Sequence, residues 1–127
     1  MKNFVNKRIL FLGTPEFAIP ALECLIEKQY SIIGVVTNPD EPVGRKQLLT
    51  PPPIKKVALR HHIPVYQPPT FNLEYWHNEI PDADLYIIAA YGKIIPKAIL
   101  DIPSLGVLNI HPSLLPAFTG LDTHARA

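Results

Sequence analysis

The chain has 127 residues, which is enough for one domain with a buried core. Hydrophobic residues make up 47% and charged residues 18%, a balance typical of globular proteins that excludes a disordered chain. The formal net charge of +1 excludes a globally basic nucleic-acid surface. The chain has a single cysteine, which excludes a disulfide framework. This residue, Cys24, is expected to be buried and inert.

The first part of the chain predicts a strand, a helix and a second strand. Residues 8–12 are an apolar run that ends at a glycine, as in a buried parallel strand. Residues 14–16 (TPE) predict a helix start with Thr14 as the N-cap, and Pro20 should fall in the first turn of the regular helix. Residues 31–37 are rich in β-branched side chains and predict the second strand. The result is a βαβ unit.

Gly13 lies where dinucleotide-binding proteins place a phosphate on the first helix. The remaining glycines of the pattern G-x-G-x-x-G are missing. Pro15 stands in the turn instead, and a proline has no N–H to offer an anion. The sequence therefore predicts no nucleotide cofactor.

Residues 38–53 predict a long loop, and basic residues are concentrated in and after it. Residues 42–73 contain two histidines and no acid. Such a stretch is either a solvated face or a surface that contacts phosphates. Its five basic residues are Arg45, Lys46, Lys55, Lys56 and Arg60.

The rest of the chain continues the α/β alternation. Residues 54–61 predict a helix with Ile54, Val57 and Ala58 inward and Lys55, Lys56 and Arg60 outward, whereas the neighbours His61 and His62 do not form a metal pair. Further elements are expected at 65–66 (strand), 72–79 (weak helix with a packed Trp76), 85–90 (buried strand), 96–100 (helical turn) and 106–111 (strand). The predicted fold is a Rossmann-like, open, mostly parallel sheet with helices on both faces.

The last predicted strand runs into the polar segment 109–116 (NIHPSLLP). Side chains alternate across a strand, so Asn109 and His111 should share one face while Ile110 anchors the other. Ligands of open α/β sheets bind beyond the carboxyl ends of the strands, so a site is expected here. On spacing alone, Asn109 and His111 are as well explained as residues that cap a strand and hydrogen-bond a turn.

Segment 109–116, followed by Gly120, resembles the signature of the folate-dependent formyltransferases, which move a formyl group from 10-formyltetrahydrofolate to an amine. Residues 8–18 (RILFLGTPEFA), 38–45 and 52–55 resemble the methionyl-tRNA branch of that family. The resemblance implies that residues 1–127 are the N-terminal catalytic domain, incomplete at its C-terminal end. No apolar run is long enough for a signal or membrane segment, so a cytoplasmic location is expected by default.

The resemblance assigns roles to residues. Asn109 and His111 become catalytic: both would stabilise an oxyanion, and His111 could also move a proton. The family's third catalytic group is a downstream aspartate, so this chain alone is expected to be feebly active. The pterin pocket is assigned to two loops, and it consists of Tyr91, Gly92, Ile94, Ile95, Ser113, Leu114, Leu115 and Pro116. For Ile94, core packing is an equally good interpretation.

The resemblance makes the 38–53 loop the contact to the acceptor stem of methionyl-tRNA, with Arg45 and Lys46 on phosphates; Glu41 departs from the basic residue often found there. Two alternatives stay open. Residues 120–124 (GLDTH) resemble the enzymes that formylate glycinamide ribonucleotide, so the acceptor could be a small amine such as that or an amino sugar. The missing aspartate, for which Asp122 is a poor substitute, fits a non-catalytic folate- or partner-binding fragment. No metal is expected, and self-association through the edge of strand 106–111 is possible.

Overall fold

A computed structural model describes residues 6–14, 16–89, 91 and 94–110. The elements in chain order are β1 (Arg8–Gly13), α1 (Ala18–Glu27), β2 (Ser31–Val36), β3 (Glu41–Val43), β4 (Leu48–Thr50), α2 (Pro53–Arg60), β5 (Val65–Tyr66), α3 (Leu73–Glu79), β6 (Leu85–Ala89), α4 (Lys97–Leu100) and β7 (Val107–Asn109). Five of the strands form one sheet in the order β5-β2-β1-β6-β7, and every pairing in it is parallel.

The sheet separates two apolar layers, because successive side chains of each strand point to opposite faces. Ile9 and Phe11 of β1 pack with α1 and α2, while Leu10 and Leu12 pack on the other face with Trp76 and the α4 side. Helices therefore cover both faces, which confirms the predicted Rossmann-like α/β fold. Within the described residues, no helix is long and apolar enough to span a bilayer.

The order of the strands determines where ligands can bind. The chain goes from β1 to β2 and β5 on one side, and then crosses to β6 and β7 on the other side of β1. The direction of the chain thus changes between β1 and β6, and in such sheets the carboxyl ends of the strands at that point are the usual ligand position. In the described part of the chain β7 is an edge strand with β6 as its neighbour, and self-association through it stays a prediction.

The start of α1 differs from the sequence prediction. The helix begins at Ala18, and its N-cap is Phe17, which makes no side-chain capping bond. A turn closed by Ile19 N–H on the Glu16 carbonyl (3.0 Å) precedes the regular helix, so Thr14 is too far from it to cap it. The Thr14 prediction was wrong, whereas Pro20 does lie in the first turn, as predicted.

Residues 38–53 are not an irregular loop, because β3 and β4 pair as an antiparallel hairpin. Gly44, with φ of +77°, opens its turn, and the Gln47 N–H closes it on the Gly44 carbonyl at 3.2 Å. The strands escaped prediction because each has three residues and both project apolar side chains into solvent. The exposed apolar residues are Val43, Leu48 and Leu49.

Two predictions of side-chain burial need correction. Cys24 is half-buried rather than buried. Lys55 does not point freely outward from α2; it is half-buried and paired with Asp40, although Ile54, Val57 and Ala58 are buried as expected. Lys56 and Arg60 are exposed, as predicted.

Candidate active site

The carboxyl end of β7 places Asn109 beside β6. Asn109 pairs with Ile88 in the parallel register, and the Ile110 N–H donates to the Ile88 carbonyl at 2.8 Å. Ile110 is 5% exposed and belongs to the α1 side of the core, whereas Asn109 is exposed. The strand thus ends with a buried isoleucine and an exposed amide on opposite faces of the sheet, as alternation predicted.

Asn109 shares its face of the sheet with the loop that follows β6. Ile88 is part of the core layer on the α3 and α4 side, and Tyr91 and Ile95 pack against that same layer. Leu108 and Ile110 belong to the opposite layer, so alternation puts Asn109 on the face of Ile88. The exposed amide of Asn109 therefore lies on the same face of the sheet as the apolar layer against which Tyr91 and Ile95 pack.

Tyr91 is fixed by aromatic packing rather than by hydrogen bonding. Its ring meets Phe71 edge-on with 5.4 Å between centroids, and Phe71 lies 5.7 Å from the ring of Trp76. The indole N–H of Trp76 donates to the Tyr86 hydroxyl at 2.9 Å. The Tyr91 hydroxyl has no partner in the described part of the chain, and burial raises the pKa of Tyr91 to about 12. The hydroxyl is consequently a neutral hydrogen-bond donor without a partner among the described residues.

The remaining residues predicted for the pterin pocket fall into two groups. Ile94 is 93% exposed, so the core-packing interpretation of this residue was wrong, while Ile95 is half-buried. An exposed isoleucine in the loop after β6 is available to a ligand. Outside the described residues lie His111, Gly92, Ser113, Leu114, Leu115 and Pro116.

Arg45 and Lys46 occupy the two central positions of the hairpin turn, and both are exposed. The hairpin follows β2, and Asn109 ends β7; β1 and β6 lie between those strands. Three strand spacings of about 4.8 Å separate β2 from β7 by roughly 14 Å. The predicted phosphate contacts and Asn109 thus lie at the same end of the strands but are not adjacent.

A cavity of about 260 Å³ lies between the hairpin and the ends of β1 and β2. Its wall is mainly apolar, with Thr14, Asn38, Glu41 and Thr50 as polar members. The Oγ1 of Thr14 and the Oδ1 of Asn38 are buried and have no hydrogen-bond partner in the described residues. Sequence reasoning missed this cavity because it depends on the hairpin folding back towards β1.

A polar cluster at the base of the hairpin was also missed. Lys55 Nζ donates to Asp40 Oδ1 at 3.1 Å and to Gln67 Oε1 at 2.9 Å. Gln67 Nε2 donates to Asp40 Oδ1 at 2.7 Å and to the Asn38 carbonyl at 2.9 Å. The hydrogen bond from Gln67, followed by that from Lys55, lowers the pKa of the Asp40 carboxyl. No group of three or more potential metal ligands occurs among the described residues.

The chain is similar to a known protein family. The family model described as formyl transferase matches residues 7–127. The chain belongs to the formyl transferase family. The match includes both the strand end at Asn109 and the hairpin, so the two predicted sites lie within the family's own region.

Individual relatives carry a more specific name. The chain is 51% identical over 118 residues to methionyl-tRNA formyltransferase of Bacillus subtilis, a match that covers 89% of this chain and 36% of that protein. Proteins of the same name match at 51% identity in Ruminiclostridium cellulolyticum and at 50% in Chloroflexus aggregans, each over 89% of this chain and 37% of the relative. The chain therefore spans somewhat over a third of the length of these relatives.

Proposed function

We propose that residues 1–127 form the N-terminal catalytic part of an enzyme that transfers a formyl group from 10-formyltetrahydrofolate to the amino group of initiator methionyl-tRNA. The observation that carries the proposal is that the exposed amide of Asn109, at the carboxyl end of β7, lies on the face of the sheet whose apolar layer includes Ile88 and is packed by Tyr91 and Ile95. The reaction belongs to translation initiation, and the proposed location is the cytoplasm.

The folate is proposed to bind beyond the carboxyl ends of β6 and β7. A pterin ring needs an apolar slot with a few polar groups at its edge. Ile94, with 93% of its surface free, and the neutral hydroxyl of Tyr91 support this position. Gly92, Ser113, Leu114, Leu115 and Pro116 complete the proposed pocket.

Formyl transfer to an amine proceeds by attack of the amine nitrogen on the formyl carbon, and it needs no nucleophile from the enzyme. The negative charge that develops on the formyl oxygen needs hydrogen-bond donors, and one such donor is typically worth about 10²–10³ in rate. The side-chain amide of Asn109 is proposed as a donor because it is exposed at the strand end. His111 is proposed as a second donor and as the group that carries the amine proton, since histidine changes charge near neutral pH.

The acceptor is proposed to be methionyl-tRNA rather than a small amine. The tip of the hairpin presents Arg45 and Lys46 to solvent, where phosphates of an acceptor stem can reach them. A ribonucleotide would instead need a phosphate site at the first helix. There, a Cβ on Gly13 would lie 3.0 Å from the Ala18 Cβ and 3.2 Å from the Ala89 carbonyl, so this glycine is needed for close packing of β1 with α1 and β6.

Titration of the chain with 5-formyltetrahydrofolate tests the folate site. Heat of binding is measured by calorimetry, and the fluorescence of Trp76, the single tryptophan, reports on the rings next to Tyr91. We expect saturable binding that Leu115→Asp abolishes. The matched control is Leu105→Asp, at a partly exposed leucine before β7 that should leave binding unchanged. Absence of binding to a demonstrably folded sample would contradict the proposal.

A further inference from the structure

The polar cluster at the base of the hairpin consists of Asp40, Lys55, Gln67 and the carbonyl of Asn38. We infer that this cluster is a positioning device for the hairpin and that Lys55 acts through it rather than by touching a tRNA phosphate. The inference rests on the proposed function where it concerns tRNA. It changes the expected role of one of the five basic residues in the 42–73 stretch.

The sheet brings the members of the cluster together. The Val35 N–H donates to the Pro64 carbonyl at 2.9 Å and the Thr37 N–H to the Tyr66 carbonyl at 3.0 Å, so β2 and β5 end side by side. Gln67 directly follows β5 and therefore lies beside the segment that leads from β2 into the hairpin. Its side-chain amide bridges that segment at two points, the Asn38 carbonyl and the Asp40 carboxylate.

Lys55 adds the third element, the first turn of α2. A positive charge there is unfavourable because the helix dipole is positive at that end. The Asp40 carboxylate compensates it, with Nζ at 3.1 Å and 3.4 Å from the two oxygens. The Lys55 and Asp40 side chains keep only 23% and 33% of their surface exposed, so the ion pair is partly shielded from water. An ammonium with these partners is not free to neutralise a phosphate.

Among the described residues, no other helix or strand packs extensively against the hairpin. Every residue from Glu41 to Leu49 is exposed, and an isolated two-stranded ribbon is at best marginally stable in water. Asp40 immediately precedes β3, so fixing its carboxylate to α2 and β5 fixes the direction in which the hairpin leaves the sheet. The cluster thus determines where Arg45 and Lys46 are presented.

For one substitution, a role through charge and a role through positioning predict opposite changes of tRNA affinity. Asp40→Ala removes a negative charge close to a polyanion, so a role through charge predicts tighter tRNA binding. A positioning role predicts weaker binding, by about 2- to 10-fold, because the hairpin must then be ordered on association. The matched control is Glu41→Ala: this adjacent acid is exposed and lies outside the cluster, so its removal should leave binding unchanged or tighten it.

A second pair of variants separates Lys55 from a phosphate contact. Lys55→Met and Lys56→Met remove equal charges from neighbouring positions of α2, of which Lys56 is exposed. We expect Lys55→Met to lower affinity about 2- to 10-fold without changing the slope of log affinity against log salt, and Lys55→Arg to restore it. A phosphate contact would instead lower the slope by about 0.9. A lower slope in Lys55→Met, or tighter binding in Asp40→Ala, would overturn the inference.

Hydrogen exchange of the free chain keeps this test separate from the proposed function. Asp40→Ala and Lys55→Met should each speed exchange at residues 41–50, the double variant should add little to either, and Lys56→Met and Glu41→Ala should have no effect. If exchange responds in this way but the chain does not bind tRNA, the proposed acceptor is wrong and the positioning role stands. Unchanged exchange in both cluster variants would refute the positioning role whatever the tRNA result.

Discussion

The corner at the ends of β6 and β7 and the hairpin β3–β4 lie at the same edge of one sheet, but they are built on opposite principles. All five residues of β6 are buried, and the register of β6 with β7 fixes Asn109 to Ile88. The residues of β3 are all exposed, and β4 is half-buried only at Thr50. Core packing fixes the corner at the ends of β6 and β7, whereas the hairpin depends on a few polar contacts at its base.

This difference suits the two proposed tasks. A group that stabilises a transition state has to be held in place before the reaction, and buried parallel strands provide that rigidity. A surface that meets a large polyanion gains from charges presented on a projecting ribbon, where phosphates can be reached without desolvating the core. Substitutions at the corner are therefore expected to change the rate of formyl transfer or the global stability. Substitutions in the hairpin are expected to change tRNA binding and to leave the global stability unchanged.

The largest effect is expected for Asn109→Ala. Loss of one donor to the developing oxyanion should lower the rate of formyl transfer by about 10²–10³, with substrate binding little changed. The assay measures kcat and KM in a chimera in which residues 1–127 replace the matching part of the Bacillus subtilis relative. Asn78→Ala makes the same chemical change on an exposed face of α3 and should be silent. A similar loss in both variants would remove the special role of Asn109.

The next largest effect separates the two regions by stability. Gly13→Ala places a Cβ 3.0–3.2 Å from Ala18, Ala89 and Phe11, so overpacking should cost about 1–3 kcal/mol of global stability, measured by urea denaturation. Gly44→Ala is strained because φ is +77°, but open space surrounds it. Its cost cannot exceed the free energy of opening the hairpin alone, so the unfolding midpoint should hardly move. Equal midpoint shifts would show that the hairpin unfolds together with the sheet.

Much of the sheet could be predicted because its strands are short apolar runs between punctuating residues. Residues 8–12 and 85–90 are apolar runs that, in a chain of this size, predict buried strands. Alternation correctly placed Ile110 in the core and Asn109 outside it. The predicted role of Asn109 came from resemblance, since N-x-H by itself is too short to be specific.

The hairpin and its base could not be predicted, and the reason is physical. Three-residue strands with exposed apolar side chains carry no periodic signal, since periodicity records burial. Lys55 looked like any outward lysine because its partners are 15 residues before it and 12 residues after it in the chain. Likewise, Thr14 is a residue type that favours N-caps, yet the regular helix begins only at Ala18, after the turn closed between Glu16 and Ile19.

A smaller effect is expected for Arg45→Ala at the tip of the hairpin. If Arg45 contacts one phosphate, its loss should reduce the slope of log affinity against log salt by about 0.9 and weaken binding of tRNA several-fold. Global stability should not change, because the side chain is exposed in the turn. Lys28→Ala, at the exposed end of α1, is the control of equal charge. The same change of slope in both variants would indicate a diffuse charge effect rather than a contact.

The smallest effect is expected for Tyr91→Phe, which removes a buried hydroxyl without a described partner. At neutral pH this should stabilise the chain by up to about 1 kcal/mol, because nothing is lost except an unpaired polar group. Burial raises the pKa of Tyr91 from 10.0 to about 12, so the folded chain holds this proton more tightly than the unfolded chain does. The stabilisation from that difference is complete below pH 10 and is lost as the pH rises through about 12.

Titration of phenolate absorbance checks this directly. Tyr91→Phe should remove the component that ionises near pH 12 and flatten the decline of stability between pH 10 and 12. Folate affinity shows whether the Tyr91 hydroxyl contributes to ligand binding. If Tyr91→Phe weakens folate binding tenfold or more, about 1.4 kcal/mol, then the hydroxyl donates to the ligand. The hydroxyl would then belong to the folate site, and packing alone would no longer account for the corner of the sheet.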